Sequence, residues 1–362
     1  NRGLGSGSSA ALSDVAKKSV DEFFVQNDAV SVCLLVHRRA KTMRVVDFRA
    51  GPSPAKQRFV MNFARKEGVE KVYTLVERDE VQTWMKMGFA KEGNIPAFYK
   101  RSDAFMLGTS VMEEGAASPV VRTGSKQSGM RISLRQGAAP IPSYPMDLEE
   151  EDEFDEDEEP VSTDTRAHDF AEKTLVHAKK RAKQLQTMAL PVAKIAAVKE
   201  IDTKKALAAA LKSGRAMTAF EPFGRDVDRR YFSITARGGF ELVVSIESQA
   251  CFGNAFLELL TAPTTDAERL ATTSAVRALC DKLLQEDVVS VFSLVPSDDV
   301  GLAAAFVFNG FRRTGLLLGH VVLGDGQSPP AKRGETAPKA ARKDAIIFSR
   351  KLANPANDKL PE

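Results

Sequence analysis

One sequence pattern occurs twice in this chain, and the repetition constrains the fold more than any other feature. In Glu70–Gly108 an alternating, β-branched segment typical of a strand leads into an acidic helix start, a Gly-Phe pair at Gly88 and a second apolar strand. The same succession returns in Val288–Leu318, with its Gly-Phe pair at Gly310. A Gly-Phe pair after a helix is, taken alone, a common C-cap. Two copies in the same order favour a duplicated α/β unit.

The length of 362 residues is enough for two domains and a linker. The first domain looks short at its N-terminal end, whereas the second contains a full set of strands and helices. The segments that we predict are a disordered N-terminus at 1–10, a first domain at 11–108, a disordered acidic linker at 109–162, a basic helical segment at 163–212, a second domain at 213–352 and a disordered tail at 353–362.

Hydrophobic periodicity and turn residues assign the elements of both domains. For the first domain they predict a helix at Leu12–Phe24, strands at Val30–Val36, Met43–Phe48, Lys71–Val76 and Ala104–Leu107, and a helix at Pro54–Glu67 with Ser53 as its N-cap. For the second they predict strands at Ala216–Phe220, Tyr231–Ala236, Glu241–Ile246, Ala255–Leu260, Val288–Val295, Gly315–Leu323 and Ala345–Arg350, and helices at Thr265–Gln285 and Val300–Asn309.

The net charge of +3 conceals a strong segregation of charge. Eleven of the thirteen residues in Asp147–Glu159 are acidic, so the remainder of the chain carries about +14. Such a run is commonly a solvated spacer, but it can also contact a protein partner or the basic segment that follows it. That segment, Arg166–Lys212, has apolar residues at helical spacing, which indicates an amphipathic packing helix. Nucleic-acid binding by its lysines is the less favoured alternative.

Composition argues against several classes of protein. Apolar runs are shorter than the roughly 20 residues needed to span a bilayer, and no signal peptide opens the sequence. We therefore expect a soluble, cytoplasmic protein. Three separated cysteines, Cys33, Cys251 and Cys280, lie in apolar surroundings and suggest buried thiols. Because the four histidines show no ligand spacing, we expect no metal site.

The repeated pattern resembles the C-terminal half of the GNAT superfamily of acyl-CoA-dependent N-acetyltransferases. Within it, the phrase GFAKEGNIPAFYKRSDAFML at Gly88–Leu107 looks most like the end of β-lysine-type amino acid acetyltransferases. The resemblance implies an α/β fold class, with two GNAT-like domains in tandem. Each would be a mixed, mostly antiparallel sheet with flanking helices.

The resemblance also implies a cofactor, acetyl-CoA, whose pyrophosphate would bind where a strand turns into a helix. In the first copy the residues of this loop are Arg49, Gly51, Ser53, Ala55, Lys56 and Arg58. Neither copy carries the family's glycine-containing motif intact. The second copy, Thr261–Arg269, lacks glycine and places Asp266 and Glu268 near the expected phosphate, which suits an empty helix N-terminus better.

The catalytic candidates follow from the same resemblance. When the loops are aligned on their prolines, Asp47 lies opposite Glu258, and the family often keeps a carboxylate on this strand as general base. The alternative is a solvated strand position facing away from the core. The tyrosine that commonly acts as general acid is replaced by Trp84 and Phe306. Tyr73 and Tyr99 are therefore the candidate substitute proton donors, although Tyr99 is favoured as a residue that closes the substrate end of the first domain.

These features predict an acyl-CoA-dependent N-acetyltransferase acting on a small amine or a lysine-like amino acid. The altered loops and missing tyrosines motivate an alternative from another class, a non-catalytic GNAT-like scaffold or regulator that binds a protein partner.

Overall fold

The structure of the protein, a computed structural model, describes residues 20–27, 29–38, 40–49, 51–111, 132–133, 165–217, 227–236, 240–249, 252–322 and 342–352. The acidic run, residues 237–239 between two of the predicted strands, and residues 323–341 before the last predicted strand lie outside these residues.

In the first half, strands and helices follow the order expected of an α/β unit. The strands are β1 (Val20–Gln26), β2 (Ser31–His37), β3 (Thr42–Asp47), β4 (Lys71–Val76), β5 (Ala90–Ile95) and β6 (Ala104–Ser110), and the helices are α1 (Pro54–Lys66) and α2 (Val81–Lys86). Helix α1 begins as predicted, since the Ser53 hydroxyl accepts the N–H of Lys56 at 3.3 Å and Pro54 takes the first helical position.

Between the halves the structure describes β7 (Ile132–Ser133), α3 (Thr165–Leu185), β8 (Lys194–Val198) and α4 (Glu200–Lys212). Helix α3 buries one stripe, which includes Ala171, Leu175 and Ala178, against the second half. The predicted amphipathic packing helix is therefore confirmed.

The second half repeats the arrangement of the first. Its elements are β9 (Asp228–Ala236), β10 (Phe240–Gln249), β11 (Asn254–Leu259), α5 (Asp266–Gln285), β12 (Ser290–Pro296), α6 (Val300–Phe308), β13 (Arg312–Val322) and β14 (Arg342–Lys351). In both halves three antiparallel strands come first, and a helix then leads to a fourth strand that runs parallel to the third. The last strand of each half pairs with the other edge of that fourth strand and runs antiparallel to it.

The described strands form one sheet in the order β7-β1-β2-β3-β4-β6-β5-β13-β14-β12-β11-β10-β9-β8. From β5 and β13 outwards the two sides carry equivalent strands, so the halves are related by an approximate two-fold axis at this seam. The predicted fold class, two α/β units in tandem with mixed sheets, is confirmed.

Gly93 and Gly315 meet at the seam, each five residues after the Gly-Phe glycine of its half. A Cβ on Gly93 would lie 2.7 Å from the Cα of Gly315, and a Cβ on Gly315 only 2.5 Å from the carbonyl oxygen of Glu92. The residue before each glycine is the extra residue of a β-bulge, Glu92 and Thr314. The two strands can approach this closely because neither carries a side chain at the contact.

The sheet has one face covered by helices and another on which the two halves meet. Core residues of β3 and β4 that face α1, such as Val45 and Val72, belong to the first cluster, and those of β11 that face α5 belong to another. A third cluster on the opposite face joins both halves, and it includes Tyr73, Met106, Phe256 and Phe292. The Tyr73 ring lies 5.0 Å from the ring of His320 on β13, so the sheet curls around this cluster.

One local prediction was wrong, and two strands were missed. Val20–Phe24, expected in a helix, is part of β1, because Phe23 and Val25 alternate toward the core while the strand pairs with β2. Strand β5 was missed, since the glycine at its bulge interrupts the alternation. Strand β8 was missed because its side chains are mostly exposed at the sheet edge.

Candidate functional site

The loop between β3 and α1 is filled by a lysine of its own helix. The ammonium of Lys56 donates to Asp47 Oδ2 at 2.5 Å and to the carbonyl oxygens of Arg49 at 2.6 Å and Gly51 at 3.1 Å. The Lys56 and Asp47 side chains are only 2% and 6% exposed. Carbonyl oxygens therefore point into this loop, toward a cation that the chain itself supplies.

The other predicted cofactor residues surround this buried pair. Ser53 caps α1, and Gly51 has a φ of +102°, a conformation that a side chain would strain. Ala55 follows Pro54 in the first turn, while Arg49 and Arg58 are exposed. Of the cations predicted here, Arg49 and Arg58 are exposed to solvent, whereas Lys56 is buried and hydrogen-bonded within the loop.

The equivalent loop of the second half is filled by an anion. The Glu268 carboxylate accepts the N–H groups of Thr264 at 2.5 Å and Thr265 at 3.1 Å, together with Nη2 of Arg215 at 2.8 Å. The N–H of Glu268 in turn donates to the Thr265 hydroxyl oxygen, which completes a capping box. Burial alone would raise the pKa of Glu268, but these hydrogen bonds and the Arg215 charge outweigh it and lower the pKa. The N–H groups that would hold a phosphate already hold this carboxylate.

The register of the parallel strands corrects the alignment of Asp47 with Glu258. Pairing of β3 with β4 begins at Thr42, and pairing of β11 with β12 begins at Asn254. Counted from those residues, Asp47 matches Leu259, and Glu258 matches Val46. A shift of one residue moves a side chain to the other face of a sheet. Asp47 therefore faces α1, contrary to the predicted orientation away from the core.

In each half the two parallel strands separate toward their carboxyl ends. The described pairing of β11 with β12 ends at Phe256 and Phe292, and that of β3 with β4 ends at Val45 and Thr74. Beyond these positions the facing backbone groups of the two strands no longer bond to each other.

A cavity of about 460 Å³ opens at the carboxyl ends of the separated strands of the second half. It lies between the N-terminal turns of α5 and α6, and its walls combine apolar residues with charges of both signs. The charged residues are Arg181, Arg269, Lys343, Asp298 and Asp299, and the uncharged ones are Met217, Ala262, Pro296, Val300 and Gly301.

The cavity cations contact carboxylates at its rim. Arg181 lies 2.9 Å from Asp266, and Lys343 lies 2.5 Å from Asp298. Arg269 has a longer contact of 3.6 Å with Asp266. Because all of these side chains are at least one third exposed, a ligand with phosphate groups could exchange places with the carboxylates at modest cost.

The inner face of the sheet brings Tyr73 of the first half close to carboxylates of the second. Glu258 accepts Nη2 of Arg229 at 2.7 Å and the Ser245 hydroxyl at 3.3 Å. Burial raises the pKa of Tyr73 to about 12, and the charges of Glu247 and Glu258 add to the effect. The Tyr73 phenol therefore stays protonated near neutrality.

Tyr99 lies near the carboxyl end of β4. Burial raises its pKa to about 12, with further contributions from the charges of Glu77 and Glu80. Its ring packs edge-on against Phe252 of the second half at 5.2 Å. Tyr73 and Tyr99 thus both occupy the junction of the halves. Trp84 and Phe306, which stand where the sequence resemblance had led us to expect a catalytic tyrosine, are fully buried in the helix-side cores.

The cations of the second-half cavity were missed from the sequence. Arg181 belongs to α3 and reaches Asp266 across 85 residues of chain, which no local pattern reveals. Arg269 offered a signal, since it follows the Thr265 and Glu268 capping pattern in the first turn of a helix, at the end of the loop that the sequence resemblance had pointed to. Lys343 lies at the start of β14, after residues outside the described part of the chain.

No family model matches the sequence, and no curated relative does. Among solved structures, the chain is similar to the ribosomal-protein-S18-alanine N-acetyltransferase from Escherichia coli, with 17% identity over 47% of this chain and 100% of that one and a TM-score of 0.32. It is also similar to the spermidine N-acetyltransferase from Vibrio cholerae in complex with CoA and spermine, with 10% identity over 46% of this chain and 98% of that one and a TM-score of 0.34.

Within the described residues, no helix is both long and apolar enough to cross a bilayer. The same residues contain no cluster of three or more side chains suited to holding a metal ion.

Proposed function

We propose that this protein is an acyl-CoA-dependent N-acyltransferase that acts on a small amine or a lysine-like amino acid. The observation that carries the proposal is the second-half cavity, which opens where β11 and β12 separate and which three cations line. Acyl-CoA would supply a thioester for attack by the amine. The remaining chemistry must come from the chain.

The separated strands suit an extended ligand that contains amides. Beyond Phe256 and Phe292, the N–H and C=O groups that β11 and β12 turn toward each other are not hydrogen-bonded between the two strands. Because buried backbone groups need hydrogen-bond partners, a ligand that enters here can supply them. An amide-bearing arm could bond to them as an added strand does. Arg181, Arg269 and Lys343 would hold the phosphates, because the loop N–H groups are occupied by Glu268.

Glu258 and Tyr73 are the residues that we assign to proton transfer. In this proposal Glu258 accepts a proton from the acceptor amine, and the Tyr73 phenol donates one to the departing thiolate. Both side chains belong to the inner face of the sheet, where the two halves meet. Because a thiolate leaves readily without help, Tyr73→Phe should lower kcat by only about tenfold, less than the roughly 10²–10⁴-fold that is typical of general acid–base catalysis.

A first-half site remains the competing location. There Arg49 and Arg58 are the exposed cations, while Lys56 and Asp47 are bonded to each other. Two double variants distinguish the halves: Arg269→Glu with Lys343→Glu, and Arg49→Glu with Arg58→Glu. Each reverses two positive charges at one candidate site.

The test is a calorimetric titration of CoA and acetyl-CoA into the full chain and both double variants. We expect saturable binding that weakens at least tenfold in the Arg269 and Lys343 variant and changes less than twofold in the other. The reverse pattern would move the site to the first half. Circular dichroism of both variants verifies that the fold is retained.

One observation favours a second candidate function, a non-catalytic scaffold that binds a protein partner. Both loops that were predicted to bind phosphate are filled by a side chain of the helix that follows, Lys56 in the first half and Glu268 in the second. If wild-type chain at 100 micromolar bound neither CoA nor acetyl-CoA and released no thiol with a panel of amines, the acyltransferase proposal would be wrong. The scaffold would then be the better account.

A further inference from the structure

Helix α3 presents a dense row of cations to solvent. Lys173, Lys179, Lys180 and Lys183 are exposed on the side opposite the buried stripe that packs on the second half. From Lys173 to Leu185 the helix contains no carboxylate. Like charges three or four residues apart on a helix repel each other, as Lys179 and Lys183 do. Negative charge placed against this face would therefore stabilise it.

Within the described part of this helix, the exposed carboxylates Asp169 and Glu172 stand before the lysines, and Glu172 is paired with Arg313 at 2.8 Å. Of the cations in Lys173–Leu185, only Arg181 has an ion pair within the described residues, with Asp266 at 2.9 Å. The face is also not purely polar, because Phe170 and Val176 are 50% and 55% exposed among the charged side chains. A ligand for this face would therefore be acidic and would carry some apolar side chains.

We propose that the acidic run Asp147–Glu159 of the same chain docks on this face of α3. The run carries eleven carboxylates, and its other two residues are apolar, Leu148 and Phe154. Its composition thus complements the lysines and the two exposed apolar side chains of the helix. The docking holds the two oppositely charged segments together and leaves the opposite stripe of α3 in the core.

The length of the connection permits this contact. Five residues separate Glu159 from Thr165, the first residue of α3, and they span at most about 20 Å. Along the helix, Lys173 and Lys183 lie about 12 and 27 Å from Thr165. The thirteen residues of the run can therefore fold back beside the helix and reach all four lysines. Tethering gives an effective concentration in the millimolar range, so the run outcompetes free polyanions.

The test is zero-length carbodiimide cross-linking of the full chain, which joins a carboxylate to a lysine in direct contact. In low salt we expect cross-links between peptides of 147–159 and Lys173–Lys183, decreasing at least fivefold in 0.5 M salt. A mixture of isotope-labelled and unlabelled chains separates links within one chain from links between two. Links that form only between chains, or that reach other lysines equally, would overturn the proposal.

Two variants complete the test. The first replaces each Asp and Glu of 147–159 by Asn and Gln, which keeps the length and releases the lysines. It should bind a heparin column at least tenfold more tightly than the wild type. The matched control replaces Lys204 and Lys205 on α4, which are paired with Glu200 and Asp202, and should leave the cross-links to α3 unchanged. Equal heparin binding by wild type and neutralised chain would indicate an undocked face open to a nucleic acid, contrary to the proposal.

Discussion

Lys56 and Glu268 occupy the same position in the two halves, the third residue of the helix that follows the first of the separating strands. Both are buried, and each fills the loop before its helix, but with opposite charge. Lys56 donates hydrogen bonds to carbonyl oxygens and to Asp47, whereas Glu268 accepts hydrogen bonds from N–H groups and from Arg215. The same loop position is therefore stabilised in two electrostatically opposite ways in the two halves.

Replacing Lys56 by methionine should destabilise the first half strongly. The substitution keeps the volume but leaves the Asp47 carboxylate, 6% exposed, without its closest cation. Removing one member of a buried pair costs about 3–5 kcal/mol, because the remaining charge is desolvated and uncompensated. Urea denaturation followed by circular dichroism measures the loss in free energy of unfolding.

The control for Lys56 is a double variant, Lys56→Met with Asp47→Asn. Removing both charges should recover at least half of the lost stability, since no isolated carboxylate remains. A loss below about 1 kcal/mol in the free energy of unfolding of the single variant would mean that water hydrates the Asp47 carboxylate, contrary to its burial.

Glu268→Ala should cost about 2 kcal/mol. The variant loses the capping box of α5 and leaves the N–H groups of Thr264 and Thr265 without their acceptor. Asp266→Ala in the same helical turn is the matched control, because Asp266 is 75% exposed and should cost about 0.5 kcal/mol. Thermal unfolding of both variants compares them directly, and equal costs would contradict the role assigned to Glu268.

Most of the fold could be predicted from the sequence because its signals are local. The strand Lys71–Val76 and the helix begun by Ser53 and Pro54 were predicted from alternation and capping alone. The failures have physical causes. Strand β5 contains a bulge glycine that serves a contact more than two hundred residues away, and an isolated sequence gives no sign of that partner.

The candidate site was less predictable because it depends on register and on distant parts of the chain. An alignment on prolines made Asp47 and Glu258 equivalent positions, but the strand pairing shows that they differ by one residue. Their side chains therefore lie on opposite faces of the sheet. The charge of Glu258 acts on Tyr73, which lies more than 180 residues away in the sequence, so no local pattern could have linked the two. Whether these residues catalyse a reaction stays a prediction.

Gly315→Ala should weaken the seam between the halves. The added Cβ would lie 2.5 Å from both the Glu92 carbonyl oxygen and the Gly93 Cα, and backbone atoms cannot move aside as a side chain can. We expect a loss of about 2–3 kcal/mol, as for overpacking in a close-packed interior. Differential scanning calorimetry of the full chain would report it as a lower unfolding temperature.

The matched control for the seam is Gly301→Ala. Its Cβ would come within 2.7 Å of Arg269, but only of the flexible side chain, which can rotate away. The change should therefore cost less than about 0.5 kcal/mol, helped by the better helix propensity of alanine. Similar losses for Gly301 and Gly315 would show that the contact of the two glycines has no special role.

His320 should make the protein less stable as the pH falls below neutrality. Burial lowers the pKa of its imidazole to about 3, and the charges of Lys71 and Arg342 add to the effect. Because the folded pKa lies below the unfolded value of 6.5, the unfolded chain binds a proton that the folded chain does not. Stability is thus lost progressively from pH 6.5 toward 3, by about 1–2 kcal/mol at pH 5.

His320→Phe isolates this contribution and keeps the ring contact with Tyr73. The variant should show a smaller fall in unfolding free energy between pH 7 and pH 5 than the wild type. Glu286 titrates in a lower window, because its hydrogen bond from Arg230 lowers its pKa to about 2, so it affects stability mainly below pH 4.5. Groups such as Glu92, whose pKa is raised by burial, are present in both proteins, so the difference between their urea denaturation curves at pH 7, 6 and 5 reports the histidine. Parallel pH dependences for the two proteins would contradict a neutral His320 in the folded chain.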